Sequence, residues 1–280
     1  MENVGHMPHV DATAIIGNDV NLGNDVSIGA FSVIGDDVTV GSGTKIDSYA
    51  VIRSGTRIGS NCTVGNFAAI GGFPQYDGFD INIPISSGVV IGNNNRIGSY
   101  VVINRSSKNN SRTVVGNDCT FHKGSKVAHD CVVGDGTIMD ISSTLGGKVS
   151  VGRGCFFGKK AATEYGIAFG DYSMMEDDSA TALDLPPYAV IGCATILTGI
   201  NFDGLRRANV SDENVAALEA CFNEFYGRTG PVKMRAKGMI REGYGTTFET
   251  KNFLRFFLVS MKRGATPKRG VDRIASKYYH

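Results

Sequence analysis

The stretch Lys126-Val127-Ala128-His129-Asp130-Cys131 is where this chain could do chemistry. His129 is a candidate general base, because an imidazole changes charge near neutral pH and can accept a proton there. Asp130 follows it directly. Adjacent residues on a strand point to opposite faces, so contact between the two side chains needs a local twist. The six cysteines (Cys62, Cys119, Cys131, Cys155, Cys193 and Cys221) form no CxxC pair and no Cys/His ligand spacing, which implies free thiols in a reducing cytoplasm and no metal centre.

The elements that position His129 are legible in a period of six. An aliphatic residue followed by a small one recurs at Ile16-Gly17, Leu22-Gly23, Ile28-Gly29, Ile34-Gly35 and Val40-Gly41, and onward to Ile70-Gly71. The pattern resumes at Ile91-Gly92 and runs through Val127, Val133-Gly134, Leu145-Gly146 and Phe157-Gly158 to Met175 and Thr181. Six fits neither a 3.6-residue helix nor a simple alternating strand. It fits a short strand plus a corner, with three units closing a triangular turn and each aliphatic side chain stacking on its equivalent three repeats away. The Gly after each aliphatic is read as supplying permissive corner backbone. The fold predicted is mainly β, a left-handed parallel β-helix of about eight coils, followed by a small α-helical C-terminal domain, with the boundary near 200: residues 1–200, then 201–280.

Two interruptions precede the His129 coil. From Ile70 to Ile91 the spacing is 21, not a multiple of six, so residues 72–88 must leave the prism as a loop. Across residues 106–112 (SSKNNSR) the register from Ile103 to Val115 is kept, but position 109 is Asn109, so one face is expected to lose its apolar residue locally. The repeat closes at Leu185-Pro186-Pro187-Tyr188, with a further short strand expected from Ala189 to Gly192. Ser211 can cap a helix carrying Val215, Leu218, Phe222 and Phe225 on one face. A second helix is expected from Thr250 to Met261 with Gly264 as its stop, its aromatic stripe read as packing.

The net charge of +1 hides an asymmetry, since residues 203–280 carry a net +7 and the body therefore −6. A basic tail on an acidic body predicts an acidic partner, though the positive charge is too diffuse for a nucleic-acid module. No apolar run is long enough to span a bilayer, and residues 1–6 show no signal peptide, so the expected location is cytoplasmic.

With the prism, the LPPY closure, the Ala128-His129-Asp130-Cys131 and Leu145-Gly146-Gly147 segments, the Gly204-Leu205-Arg206-Arg207 segment and the helical tail together, the chain resembles the UDP-N-acetylglucosamine O-acyltransferases that begin lipid A synthesis. The resemblance spans almost the whole chain. It implies a homotrimer with the site between neighbouring prisms, no bound cofactor, and a phosphopantetheine-linked acyl group on acyl carrier protein as donor. It assigns His129 as general base, Asp130 as its orienting partner, and the Gly147 N–H as stabiliser of the developing oxyanion. Gly147 follows His129 by three repeats, one full coil, so the two should stack. Asn201, Asp203 and Arg207 match positions that contact the nucleotide, with Arg207 suited to a diphosphate, and Gln75 matches a loop residue near the sugar.

The departures from that family cluster around the sugar. Tyr76 and Gly78 stand where an acidic residue and a lysine are usual. Lys126, Lys148 and Glu164 replace histidines, Tyr165 replaces a glutamine, and Ala208 replaces an arginine. Lys126 and Lys148 could hold phosphate or the phosphopantetheine arm, while His122 is read as lining a corner or subunit contact. These changes leave the acceptor open between N-acetylglucosamine and another UDP-sugar. Where the far end of a long acyl chain would pack against small residues, this chain reads Met174-Met175-Glu176-Asp177-Asp178. Placing carboxylates against a hydrocarbon tail is costly, so Met174, Met175 and Asp177 predict a short or polar acyl group, or a chain that takes another path. Two other readings share the same residues: N-acylation of a nucleotide-linked amino sugar from acyl carrier protein or coenzyme A, and a non-catalytic trimeric scaffold or binding protein.

Overall fold

The computed structural model describes residues 6–76, 79, 86–192 and 196–260. Short strands, most of two residues, repeat through the chain and stack into three sheets of 11, 9 and 8 members, each formed by every third strand up to the closing strands of the first. All the coil-to-coil pairings are parallel, with registers such as Ile28↔Ile46, Ile34↔Ile52 and Val40↔Ile58 that advance three repeats per coil. The second residue of each pair fills the prism: Ile28, Ile34, Val40, Ile46 and Ile52 are all buried, while Ile15 and Ile16 in the first coil lie open at the prism end. The parallel β-helix expected from the period of six is therefore the fold.

The coil count exceeds the expected eight. The 11-stranded sheet climbs from His9–Val10 to Ala189–Ile191 through ten parallel rungs before closing with one antiparallel strand, Leu197–Ile200. The repeat begins one unit earlier and ends one rung later than its aliphatic markers.

The role of the recurring Gly also differs from the expectation. The left-handed torsion at the corners falls two residues later, on Asp19, Asp25, Phe31 and Asp37. At Gly35 and Gly41 the requirement is close approach: a Cβ would stand 2.7 Å from the Ser54 amide nitrogen and 2.6 Å from the Gly59 carbonyl carbon. Glycine is there because the next coil's backbone lies against it. Four of the left-handed corner residues, Phe31, Tyr49, Phe67 and Tyr100, stack as an exposed ladder with ring centroids 5.2, 5.1 and 5.0 Å apart.

Both interruptions are insertions, of different lengths. A regular coil would pair Ile70 with Gly88, but its partner is Ile103, and Val64↔Ile97 and Ile58↔Ile91 are displaced equally. Fifteen residues therefore leave the coil between Ala69–Gly72 and Gly88–Ile91. In the same way Ile103 pairs with Val127 where a regular coil would give Phe121, and Ile97↔Phe121 and Ile91↔Val115 share that displacement. This places a six-residue insertion between Val102–Asn104 and Arg112–Val115. The expectation that one prism face loses its apolar residue at Asn109 is thus corrected. An insertion one repeat long preserves the spacing from Ile103 to Val115 while every face keeps its inward residue.

After Ile200 the chain becomes helical: α1 (Phe202–Arg207), α2 (Asp212–Gly227), α3 (Val232–Arg241) and α4 (Phe248–Arg255), the last continuing as a π-helical turn, Phe256–Ser260. The Ser211 hydroxyl accepts the Asn214 N–H and caps α2 as expected, while α1 and α3 had no clear periodic signal. The second expected helix starts at Phe248, capped by Thr247; its proposed end at Met261 and Gly264 lies outside the described residues. The aromatic stripe is packing: Phe225 stacks on Phe257 at 4.1 Å and meets Phe253 edge-on at 5.4 Å. Phe225→Ala is expected to cost about 3–5 kcal/mol, read from denaturant midpoints, because truncation leaves a cavity among rings that cannot collapse together. Asn252 of α4 ties this helical cluster to the prism through Asp171 Oδ2 (3.4 Å) and the Tyr188 hydroxyl (3.3 Å).

Candidate active site

His129 and Asp130 occupy a corner between Lys126–Val127 of the 9-stranded sheet and Val132–Val133 of the 8-stranded sheet. Regular strand geometry would point them apart. Asp130 instead has φ of +63°, and this left-handed corner turns its carboxylate back onto its neighbour. His129 Nδ1 lies 2.7 Å from Asp130 Oδ2, and both side chains are almost wholly enclosed. An ionised carboxylate is acceptor only, so Nδ1 carries a proton, and in the neutral imidazole the unprotonated nitrogen is then Nε2.

Asp130 is ionised for a defined reason. Burial by itself would raise its pKa. Hydrogen bonds from the Ser106 and Ser107 hydroxyls, from His129 and from the Ser107 N–H outweigh burial and hold it down at about 2. The Ser107 hydroxyl is 2.6 Å from Oδ2, and the Ser107 N–H is 3.0 Å from Oδ1. Thr113 Oγ1 accepts the Asp130 N–H at 2.9 Å. Ser106, Ser107 and Thr113 were not among the residues singled out from sequence. The available signal was the interruption itself, since Ser106 and Ser107 open the six-residue insertion.

Gly147 stacks on His129, as a spacing of one coil requires. The pairings Lys126↔Thr144 and Val127↔Leu145 carry the two coils in register, and the Lys148 N–H donates to the His129 carbonyl at 2.8 Å. A Cβ on Gly147 would stand 2.7 Å from His129 Nε2 and 3.0 Å from Tyr165 Cδ2. The N–H at this corner position is elsewhere taken by an Asp or Asn one coil later: Asn18 by Asp36, Asn117 by Asp135, Arg153 by Asp171 and Lys159 by Asp177. The residue one coil after Gly147 is Tyr165, whose ring carries no acceptor at that point. Among the described residues the Gly147 N–H has no hydrogen-bond acceptor, and the residue itself lies against the imidazole.

Two aromatic rings lie near the imidazole. Tyr76, from the fifteen-residue insertion, places its ring 5.0 Å from the imidazole, and the Tyr165 ring is 6.2 Å away. Lys148 Nζ lies 5.9 Å from the Tyr165 ring. Gln75 is exposed beside Tyr76; Lys126 is exposed on the strand that leads into the base, and Glu164 is exposed two coils on, next to Tyr165; Gly78 lies outside the described residues.

The nucleotide and acyl-chain candidates are elsewhere in the chain. Asn201 is buried and caps α1, its Oδ1 accepting the Gly204 N–H at 2.9 Å and its Nδ2 donating to the Tyr172 carbonyl at 2.7 Å. Asp203 is exposed and paired with Arg206. Arg207 reaches the Gly154 carbonyl at 3.3 Å, at a corner between the 8- and 11-stranded sheets, a different corner from that of His129. Met175 points into the prism core and is fully buried. Met174 lies on the outer face, where it lines a groove of about 440 Å³ with Glu176, Phe202, Asp203 and Arg206. Asp177 Oδ1 accepts the Lys159 N–H at 2.9 Å, a corner role shared with Asp36 and Asp135. Cys62, Cys119, Cys131, Cys155 and Cys221 are buried and in no disulfide among the described residues, and Cys193 lies outside them. No helix among the described residues is long and apolar enough to cross a membrane.

A prism of hexapeptide coils holding a histidine–carboxylate pair at one corner defines the class of hexapeptide-repeat acyltransferases. Residues 37–72 match the bacterial transferase hexapeptide (six repeats) family, and residues 184–266 match the second domain of UDP-N-acetylglucosamine O-acyltransferase. The chain is 33% identical over 263 residues to the acyl-[acyl-carrier-protein]–UDP-N-acetylglucosamine O-acyltransferase of Aliarcobacter butzleri, covering 92% of this chain and 98% of that one. It superposes on the UDP-N-acetylglucosamine acyltransferase of Campylobacter jejuni with a TM-score of 0.85 at 29% identity, covering 93% and 100% of the two chains. The corresponding structure from Acinetobacter baumannii gives 0.84 at 27% identity, covering 92% and 99%. The chain belongs to the UDP-N-acetylglucosamine O-acyltransferase family and is an acyltransferase.

Proposed function

We propose that this chain moves an acyl group from the phosphopantetheine thioester of an acyl carrier protein to a hydroxyl of a UDP-linked N-acetylhexosamine. The observation that carries the reading is the juxtaposition at one corner of the His129 imidazole, held through Nδ1 by Asp130, and Gly147, whose N–H has no acceptor among the described residues. The names of the relatives support UDP-N-acetylglucosamine as acceptor and acyl carrier protein as donor.

In this mechanism Nε2 removes the proton from the sugar hydroxyl as its oxygen attacks the thioester carbonyl. The carbonyl oxygen becomes an oxyanion and takes the hydrogen bond that the Gly147 N–H has free, a preorganised contribution of roughly 2.7–4 kcal/mol. Asp130 stabilises the imidazolium that forms. When the tetrahedral intermediate collapses, the C–S bond breaks and the imidazolium returns its proton to the phosphopantetheine thiolate. Tyr76, Tyr165, Lys148, Lys126 and Glu164 form the acceptor's surroundings, with Gln75 on the adjoining loop.

The nucleotide grip comes from a neighbouring copy in a homotrimer. Arg207 and Asp203 stand at another corner from His129 in a single chain, so a site using all of them needs two prisms side by side. The basic tail steers the acidic carrier protein. Glu176, Asp177 and Asp178 are exposed on one corner, and a hydrocarbon tail laid over them would strip water from three carboxylates, which favours a short or polar acyl group.

The test is mass spectrometry of products from a panel of UDP-sugars with acyl carrier protein and coenzyme A donors of graded chain length. Acylated UDP-N-acetylglucosamine from a short carrier-protein donor is the expected product. Long 3-hydroxyacyl donors reacting at a comparable rate would remove the chain-length reading. Failure of every UDP-sugar would remove the acceptor class.

A further inference from the structure

The six-residue insertion before the base does more than interrupt the repeat. Its first residues converge on Asp130 from outside the regular coil. Ser106 is fully buried and its hydroxyl donates to Asp130 Oδ1, while the Ser107 N–H donates to the same oxygen at 3.0 Å. The Ser107 hydroxyl donates to Oδ2 at 2.6 Å, the oxygen that also faces His129 Nδ1 at 2.7 Å. Four donors thus surround one carboxylate, and three of them come from two consecutive residues.

That pair is itself anchored. The neighbouring Arg105 is buried, with Nε donating to the Gly71 carbonyl at 2.7 Å and Nη2 to the Ser54 carbonyl at 2.8 Å. Its guanidinium lies 5.2 Å from the Phe73 ring, and its N–H donates to the Gly72 carbonyl at 2.9 Å. The Ser106 N–H points to the Gly88 carbonyl at 3.4 Å. Gly72 and Gly88 are the ends of the strands that bracket the fifteen-residue insertion carrying Tyr76. Residues 105–107 therefore touch both insertions and the carboxylate of the base's partner.

We infer that Ser106 and Ser107 are positioning residues for the His129–Asp130 pair: their hydroxyls lock the Asp130 carboxylate in the orientation that keeps the proton on Nδ1 and leaves Nε2 basic. The inference rests on the reading of His129 as general base. At the equivalent left-handed corners the carboxylates of Asp37, Asp118 and Asp178 lie at exposed surface and meet one side chain each, Arg57, Asn94 and Lys160. The Asp130 carboxylate is enclosed and engages two hydroxyls, a backbone N–H and an imidazole, an arrangement that corner closure does not require. The low pKa of Asp130 agrees, since the hydroxyl donors are what offset its burial.

The experiment compares S106A/S107A, S107A, S107T and H129A, assayed with UDP-N-acetylglucosamine and the carrier-protein donor that the product panel selects. The double variant is expected to lose about tenfold or more in kcat with KM for both substrates little changed, since the residues touch neither. A carboxylate relieved of its two hydroxyl donors presents more of its charge to the imidazolium, so loss of activity on acidification should set in at a higher pH than in the native protein. S107T keeps the hydroxyl and should restore the native pH profile that S107A loses. An inactive H129A beside a double variant with native kcat and pH profile would overturn the inference, as would a loss that only tracks the folded fraction by thermal melt. An H129A variant that remains active would instead sink the base assignment itself. If the double variant does not fold, S107A against S107T decides the matter alone.

Discussion

Replacing His129 by alanine is expected to lower kcat by roughly 10²–10⁴-fold, the range spanned by a positioned general base. The His129 side chain is 9% exposed, so little solvent is available to take over proton removal at that point. The fold should survive. Asp130 keeps its bonds from Ser106 and Ser107, so no carboxylate is orphaned, and the prism core beneath, Val127 and Leu145, is untouched. Steady-state kinetics and a thermal melt on the same sample separate the two. A variant melting close to the native protein and turning over at the native rate would remove this mechanism.

Gly147→Ala is the second large effect, and its cause is steric. The new methyl would stand 2.7 Å from His129 Nε2, 2.8 Å from Cε1 and 3.0 Å from Tyr165 Cδ2, closer than carbon and nitrogen can approach. Gly147 does not have a positive φ, so alanine suits its backbone and the strain falls on the side chains it meets. The imidazole cannot move freely because Nδ1 is held by Asp130, and any swing shifts Nε2 from its place against Gly147. The loss expected in kcat is about 10²–10³-fold, comparable to removing an oxyanion donor, although the N–H itself remains. Melting temperature should change little. A fully active Gly147→Ala enzyme would show that neither the imidazole's position nor this N–H matters to turnover.

Much of this molecule was readable without coordinates because the information was local and repeated. Each inward aliphatic reports its own burial, and a spacing of six leaves only a three-sided coil. The interval of three repeats from His129 to Gly147 became a physical stack because no insertion falls between them. The helix from Ser211 was legible for the same reason, with a cap and an apolar face set by neighbours in sequence.

What was not legible depended on segments without a period. The six-residue insertion was invisible as such because its length equals the repeat, so the aliphatic spacing from Ile103 to Val115 ran on unbroken. The glycines were correctly located but misread, since backbone approach between coils is a tertiary property while torsion is a local one. Residue type marked His129 as a candidate base, and the family resemblance marked Asp130 and Gly147. Only the tertiary structure decided that Asp130 meets His129, because that contact depends on a left-handed corner and on Ser106 and Ser107 arriving from an insertion. The same holds for Tyr76 over the imidazole and for Arg207 at a different corner. Repetition in the sequence determined the scaffold, since every coil faces the same packing problem. The machinery at one corner was decided by the two places where the repetition stops.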